Sequence, residues 1–111
     1  MGPINSENLV NTAATDINLV AGPQYASGFY LLSVLYSRVT GAAADFILSA
    51  VWGDRELVID QVTGATATSY TFPNARVPAP IALPAGCKVR FKTSGVAGAE
   101  VRTVIIQYAQ E

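Results

Sequence analysis

Three basic side chains recur at every second residue in Cys87-Lys88-Val89-Arg90-Phe91-Lys92-Thr93. A period of two is that of a half-buried β-strand. It puts Lys88, Arg90 and Lys92 on one stripe, and Cys87, Val89 and Phe91 on the opposite, core-facing side. Such a stripe suits two chemistries. It can follow a phosphate backbone while aromatic rings stack on bases. It can also pair with carboxylates, either on an adjacent strand, as Glu100 would offer, or on a partner subunit. Phe91 alternates out of phase with the stripe, and the net charge of the 111-residue chain is −1. The second chemistry is therefore expected, and nucleic-acid binding is not.

Other chemistry is sparse. The chain has no histidine, which removes the commonest general base and metal ligand. One cysteine, Cys87, can neither build a zinc site nor close an internal disulfide. Its place in the alternating strand makes it a buried thiol. Asp54 and Glu56 flank the tip of an expected hairpin and read as solvating charges, not as calcium ligands. Asp60 and Glu100 could meet through long-range folding as glycosidase-type catalysis requires, but nothing in their spacing argues for it. Ser94-Gly95-Val96-Ala97-Gly98 lacks the lysine and the following helix of a phosphate cradle. The chain is read as a non-enzyme with no cofactor and no metal.

These residues must be positioned by β-structure. Val, Ile, Thr, Tyr and Phe are frequent, and no helix-period segment of useful length occurs. Turn signals recur at Gly22-Pro23, Gly41, Gly53-Asp54, Gly64, Pro73-Asn74 and Pro84-Ala85-Gly86. Residues 1–8 read as an extended N-terminal arm, with Ile4 as a buried anchor on a neighbouring subunit. Residues 9–111 read as one domain. Strands are expected at Leu9 to Val20 and at Phe29 to Val39, the latter apolar on both faces and so central. A hairpin is expected from Asp45 to Trp52 and Arg55 to Val62. Its core face carries Phe46, Leu48, Ala50 and Trp52, with Leu57 and Ile59 joining across the pair. A short strand at Tyr70 and Phe72 ends at Pro73. Three prolines confine Val77 to Leu83 to an edge or irregular path. Cys87 to Thr93 and Glu100 to Tyr108 close the fold. Seven or eight strands predict an all-β, single antiparallel sandwich of jelly-roll type.

Charge content adds an inference about surface. Only 14% of residues are charged and 50% are apolar, against roughly 25% charged in ordinary domains. A small domain has much surface and should need more polar residues, not fewer. Part of the surface is expected to lie against another subunit. No apolar run approaches the ~18 residues of a membrane helix, so no membrane partner is expected.

The turn Ile81-Ala82-Leu83-Pro84-Ala85-Gly86 and the ending VRFKTSGVAGAEVRTVIIQYAQ, together with the Ala/Thr-rich texture and the extended arm, resemble small bacteriophage virion proteins. The nearest in style are the capsid decoration (cement) and head-fibre proteins, whose sandwiches resemble trimeric tumour-necrosis-factor-like jelly rolls. The resemblance implies a structural protein made in the host cytoplasm and placed on the outer surface of the phage head. Its partners would be the major capsid protein or other virion subunits, and copies of itself, as a trimer. Ile4, Lys88, Arg90 and Lys92 are the candidate protein-interface residues. The rival function is a carbohydrate- or receptor-binding module of a phage tail or fibre, with Trp52, Tyr70 and Phe72 as sugar platforms.

Overall fold

A computed structural model describes residues 2–11, 17–21, 27–93 and 101–111. Among them are nine strands and no helix. They are β1 (Ile4–Asn11), β2 (Ile17–Ala21), β3 (Phe29–Ser37), β4 (Ala44–Trp52), β5 (Arg55–Ala65), β6 (Ser69–Phe72), β7 (Ile81–Leu83), β8 (Lys88–Thr93) and β9 (Arg102–Gln110). One sheet, here sheet A, runs in the order β1-β9-β3-β6, with β7 also paired to β3. The other, sheet B, runs β2-β8-β4-β5. With β7 set aside, the chain crosses between sheets after β1, β2, β3, β5, β6 and β8. That is the wrapping of a jelly roll, so the all-β sandwich expected from the sequence is the fold observed.

Alternation decides what lies between the sheets. Phe29, Leu31, Val34 and Tyr36 of β3 point inward, with Val104, Ile106 and Tyr108 of β9 beside them. Opposite stand Phe46, Leu48 and Ala50 of β4 and Val89 and Phe91 of β8. The Tyr36 ring centroid lies 4.6 Å from that of Phe91 and 5.3 Å from that of Phe46. These contacts join the two layers at the middle of the core.

Two strand readings need correction. Residues expected to form a free arm are instead the edge strand of sheet A: Ile4 pairs with Ala109, and the ladder continues to Asn11 and Arg102. The backbone is extended, but β9 of the same chain supplies its partner. The single strand expected from Leu9 to Val20 is two strands in different sheets, β1 and β2. No glycine or proline between Asn11 and Ile17 marks that crossing. The β4–β5 hairpin forms as expected, except that Leu57, expected on the core face, is 53% exposed at the sheet edge while Ile59 packs on the core. Its turn glycine, Gly53, has φ +53°, a conformation that glycine adopts without steric cost.

Candidate functional site

The charged residues are largely spent on the fold. Arg38, almost fully buried, donates from Nε to the Ala67 carbonyl at 2.9 Å and from Nη2 to the Ala65 carbonyl at 3.0 Å. Its guanidinium carbon stands 5.0 Å from the Phe46 ring centroid, in cation–π range. Arg102 is wholly buried and donates to Asn11 Oδ1 at 3.3 Å. Glu7 accepts the Tyr108 hydroxyl at 3.1 Å.

The densest polar cluster surrounds Asp60. A bulge in the β4–β5 pair makes Leu48 face Asp60 while Ser49 faces Val58. The extra residue turns Asp60 to the core side, where simple alternation after Leu57 and Ile59 would have put it in water. Arg76 donates to its Oδ1 from Nε and to its Oδ2 from Nη2, both at 2.9 Å. Tyr70 donates to Oδ2 at 2.5 Å and Asn74 Nδ2 at 3.0 Å. Hydrogen bonding by Arg76, ahead of the opposing burial, holds the Asp60 carboxyl well below the usual carboxylate range. Burial, followed by the Asp60 hydrogen bond, pushes the Tyr70 phenol well above its ordinary value. A carboxylate this saturated has no capacity to take a proton near neutral pH, and the phenol beside it keeps its own. The cluster is a clamp joining β5 to β6 and the turn after it, not an acid–base pair. A hollow of about 250 Å³ borders it, against Val62, Tyr70, Asn74 and Arg76.

The sequence's candidate residues separate onto two faces. Lys88, Arg90 and Lys92 lie on the outer side of sheet B, while Cys87, Val89 and Phe91 are buried, as the alternation predicts. Arg90 is half-buried and forms an ion pair with Glu56, which also accepts from Ser49 Oγ at 3.3 Å. The stripe thus does meet a carboxylate, but on the β5 edge two strands away. Glu100 lies outside the described residues, as does the glycine-rich segment before it. Among the described residues Lys88 and Lys92 have no acidic partner. Ile4 lies on the opposite sandwich face, 63% exposed.

That opposite face, the outer side of sheet A, is the feature that sequence reading missed. Register aligns its outward residues in rows. Ile4, Ala109, Tyr30 and Ala82 form one row, in which Ala109 is itself fully covered. Ser6, Gln107 and Ser33 form the next, tied by a 2.9 Å bond from Ser33 Oγ to Gln107 Oε1. Asn8, Ile105, Leu35 and Thr71 follow, and then Val10, Thr103, Ser37 and Ser69. None of these residues is charged. Ile4, Val10 and Leu35 are 63%, 60% and 47% exposed. The signal was present in β3 and β9, which read as apolar on both sides, but the two strands are distant in sequence and their adjacency was not.

No family model matches the chain, and no curated protein matches it. Solved structures to which the chain is similar include three. One is the crystal structure of FLHE, at 14% identity and TM-score 0.42, covering 99% of this chain and 100% of that one. Another is the nucleoplasmin-like N-terminal domain of Drosophila FKBP39, at 20% identity and TM-score 0.37, covering 88% and 90%. The third is infectious bursal disease virus Gx strain, at 11% identity and TM-score 0.37, covering 96% of this chain and 36% of that one.

The sugar-platform reading also meets the structure. Tyr70 and Phe72 are buried at 5% and 2% exposure, so neither ring can receive a ligand. Trp52 is half-exposed and borders a hollow of about 490 Å³ with Asp54, Arg55 and Glu56. Among the described residues no cluster of three or more metal-ligating side chains occurs.

Proposed function

We propose that the chain is a virion structural protein, a decoration subunit bound to the outside of a bacteriophage head. The observation that carries this reading is the outer face of sheet A: fifteen aligned positions on four strands and the β7 edge, without one charge. A wet sheet face normally alternates apolar-in with polar-out, whereas here Ile4, Val10 and Leu35 stand exposed among the polar residues. Extended uncharged, partly apolar faces mark protein–protein contact. The resemblance of the 81–108 segment to phage decoration proteins supplies the kind of assembly. Lys88 and Lys92 on the other outer face, without an acidic partner among the described residues, suit an acidic patch of the shell. No reaction is assigned to the chain.

The test is binding of the purified protein to heads that lack it. Cosedimentation that saturates at a fixed number of copies per capsid subunit supports the proposal. Absence of binding to heads, with binding to the tail, overturns it. The hollow at Trp52 supports a second reading, a glycan-binding module, since an indole beside carboxylates and an arginine suits a sugar ring. Saturable binding to a glycan array, abolished by Trp52→Ala, would favour it.

A further inference from the structure

We propose that the outer face of sheet A is a self-contact, packed on the same face of a second copy about a twofold axis. The proposal deepens the reading above and rests on it only in taking this face as covered by protein.

The two outer faces differ in kind. Sheet B carries Lys88, Arg90, Lys92, Asp45 and Glu56 on or beside its outer side. Sheet A carries no charge in any of its four rows. The scarcity of charge is therefore local, and it lies where β9 and β3, the two inner strands of the sheet, lay down Ile105 and Leu35 side by side.

A twofold contact makes a special demand on chemistry. Residues near the axis meet their own copies, so a charge there would face a like charge. The rows of sheet A meet that demand throughout. Their polar members are Ser6, Asn8, Ser33, Ser37, Ser69, Thr71, Thr103 and Gln107, and each carries both a donor and an acceptor. A side chain of that kind can bond to an identical side chain. The basic stripe of sheet B, facing its own copy, would repel it.

Size is adequate. Four strands about 4.8 Å apart and rows spanning about 25 Å give a face of roughly 500 Å² in projection. Two such faces cover about 1,000 Å² before side-chain relief is counted, the lower bound for a specific interface. Two sheets pack face to face at about 10 Å with a rotation near −30°, a geometry open to any pair of twisted sheets. Ile4, Val10, Leu35 and Ile105 then fill the seam. The rows hold no opposite charge to receive one introduced there, so the contact is sensitive to any introduced charge. The trimer implied by the family resemblance would set this face against a different one, so stoichiometry separates the two arrangements.

The experiment is sedimentation equilibrium of the full chain with Leu35→Lys and Leu35→Glu, alone and mixed. Wild type should sediment at twice the chain mass at tens of micromolar. Each variant should weaken association at least about a hundredfold, because like charges meet across the seam at a cost of several kcal/mol. An equal mixture should restore the dimer, since Lys then faces Glu. Leu35 is half in water already, and unchanged circular dichroism checks that each variant folds; Ile105→Lys with Ile105→Glu repeats the test on β9. A wild-type monomer or trimer overturns the proposal, as do variants that keep the wild-type mass or a mixture that stays monomeric. Cosedimentation with heads is read separately: dimerisation without head binding sinks the functional reading alone, and head binding by a wild-type monomer sinks the self-contact alone.

Discussion

Arg76 grips Asp60 through two contacts of 2.9 Å, one to each carboxylate oxygen, and so ties the turn after β6 to the edge strand β5. Arg76 reaches in from solvent, with its side chain 51% exposed, while the Asp60 side chain is 4% exposed. The pair is thus a buried acid closed off by an exposed base, with the Tyr70 hydroxyl completing the seal.

Replacing Asp60 with Ala removes the shared acceptor and strands the buried Tyr70 hydroxyl. The expected loss is about 1–3 kcal/mol, read as a lower midpoint in urea unfolding. The pH dependence has a fixed sign. The folded-state carboxyl titrates well below its unfolded value, so its contribution is complete above the unfolded pKa, about pH 4. It declines as pH falls from there toward the folded value. The gap between wild type and Asp60→Asn should therefore be constant from pH 5 to 8 and narrow below about pH 4. A gap that widens on acidification would contradict this account.

The two sides of β8 should respond differently. Val89→Ala and Phe91→Ala open cavities in the centre of the core and should each cost roughly 2–5 kcal/mol. Lys88→Gln and Lys92→Gln remove charges without partners among the described residues and should change stability by less than about 0.5 kcal/mol. Arg90→Gln falls between them, because it leaves Glu56 with Ser49 alone. Chemical denaturation of the five variants gives the order directly.

Much of the fold can be read from the sequence where a period of two meets a turn residue. The β4–β5 hairpin, the short β6 ended by Pro73, the proline-confined β7 and the inward face of β8 all carry that pattern. What fails is whatever depends on a register defect or on distant pairing. The bulge that turns Asp60 inward adds one residue to a strand that otherwise alternates, and nothing in Leu57-Val58-Ile59-Asp60 announces it. Nothing in the sequence marks Arg38 and Arg102 as buried, because only the folded chain brings the Ala65 and Ala67 carbonyls to one and Asn11 to the other. The basic stripe is visible in one strand. The uncharged face opposite needs five strands placed side by side before it exists.

Cys87 is 1% exposed, and burial pushes its thiol pKa up. The thiolate is the reactive form, so labelling of the folded protein should be slow. A thiol-reactive dye at pH 8 should modify Cys87 at the rate of unfolding and stoichiometrically in denaturant. Complete labelling within seconds under native conditions would show that the β8 entry is open.

Deleting residues 2–7 removes the ladder pairs from Ile4 to Glu7, together with the Glu7 bond to Tyr108. The deletion uncovers the backbone of β9 opposite. A sheet edge left bare in this way pairs readily with other chains. The truncated protein should melt several degrees lower and aggregate at concentrations where the full chain stays dispersed. Unchanged melting would mean that β1 adds nothing to the isolated domain and acts only in assembly.

The central claim is that this jelly roll is a subunit on the outside of a phage head, with its uncharged face covered by protein. A cryo-electron microscopy reconstruction of the particle tests it most directly. The account predicts a two-layered β-sandwich on the outer capsid surface, with the sheet bearing Leu35 and Ile105 buried against protein density and not solvent. Density for the chain in the tail, or a head-bound sandwich whose sheet A faces open solvent, would contradict it.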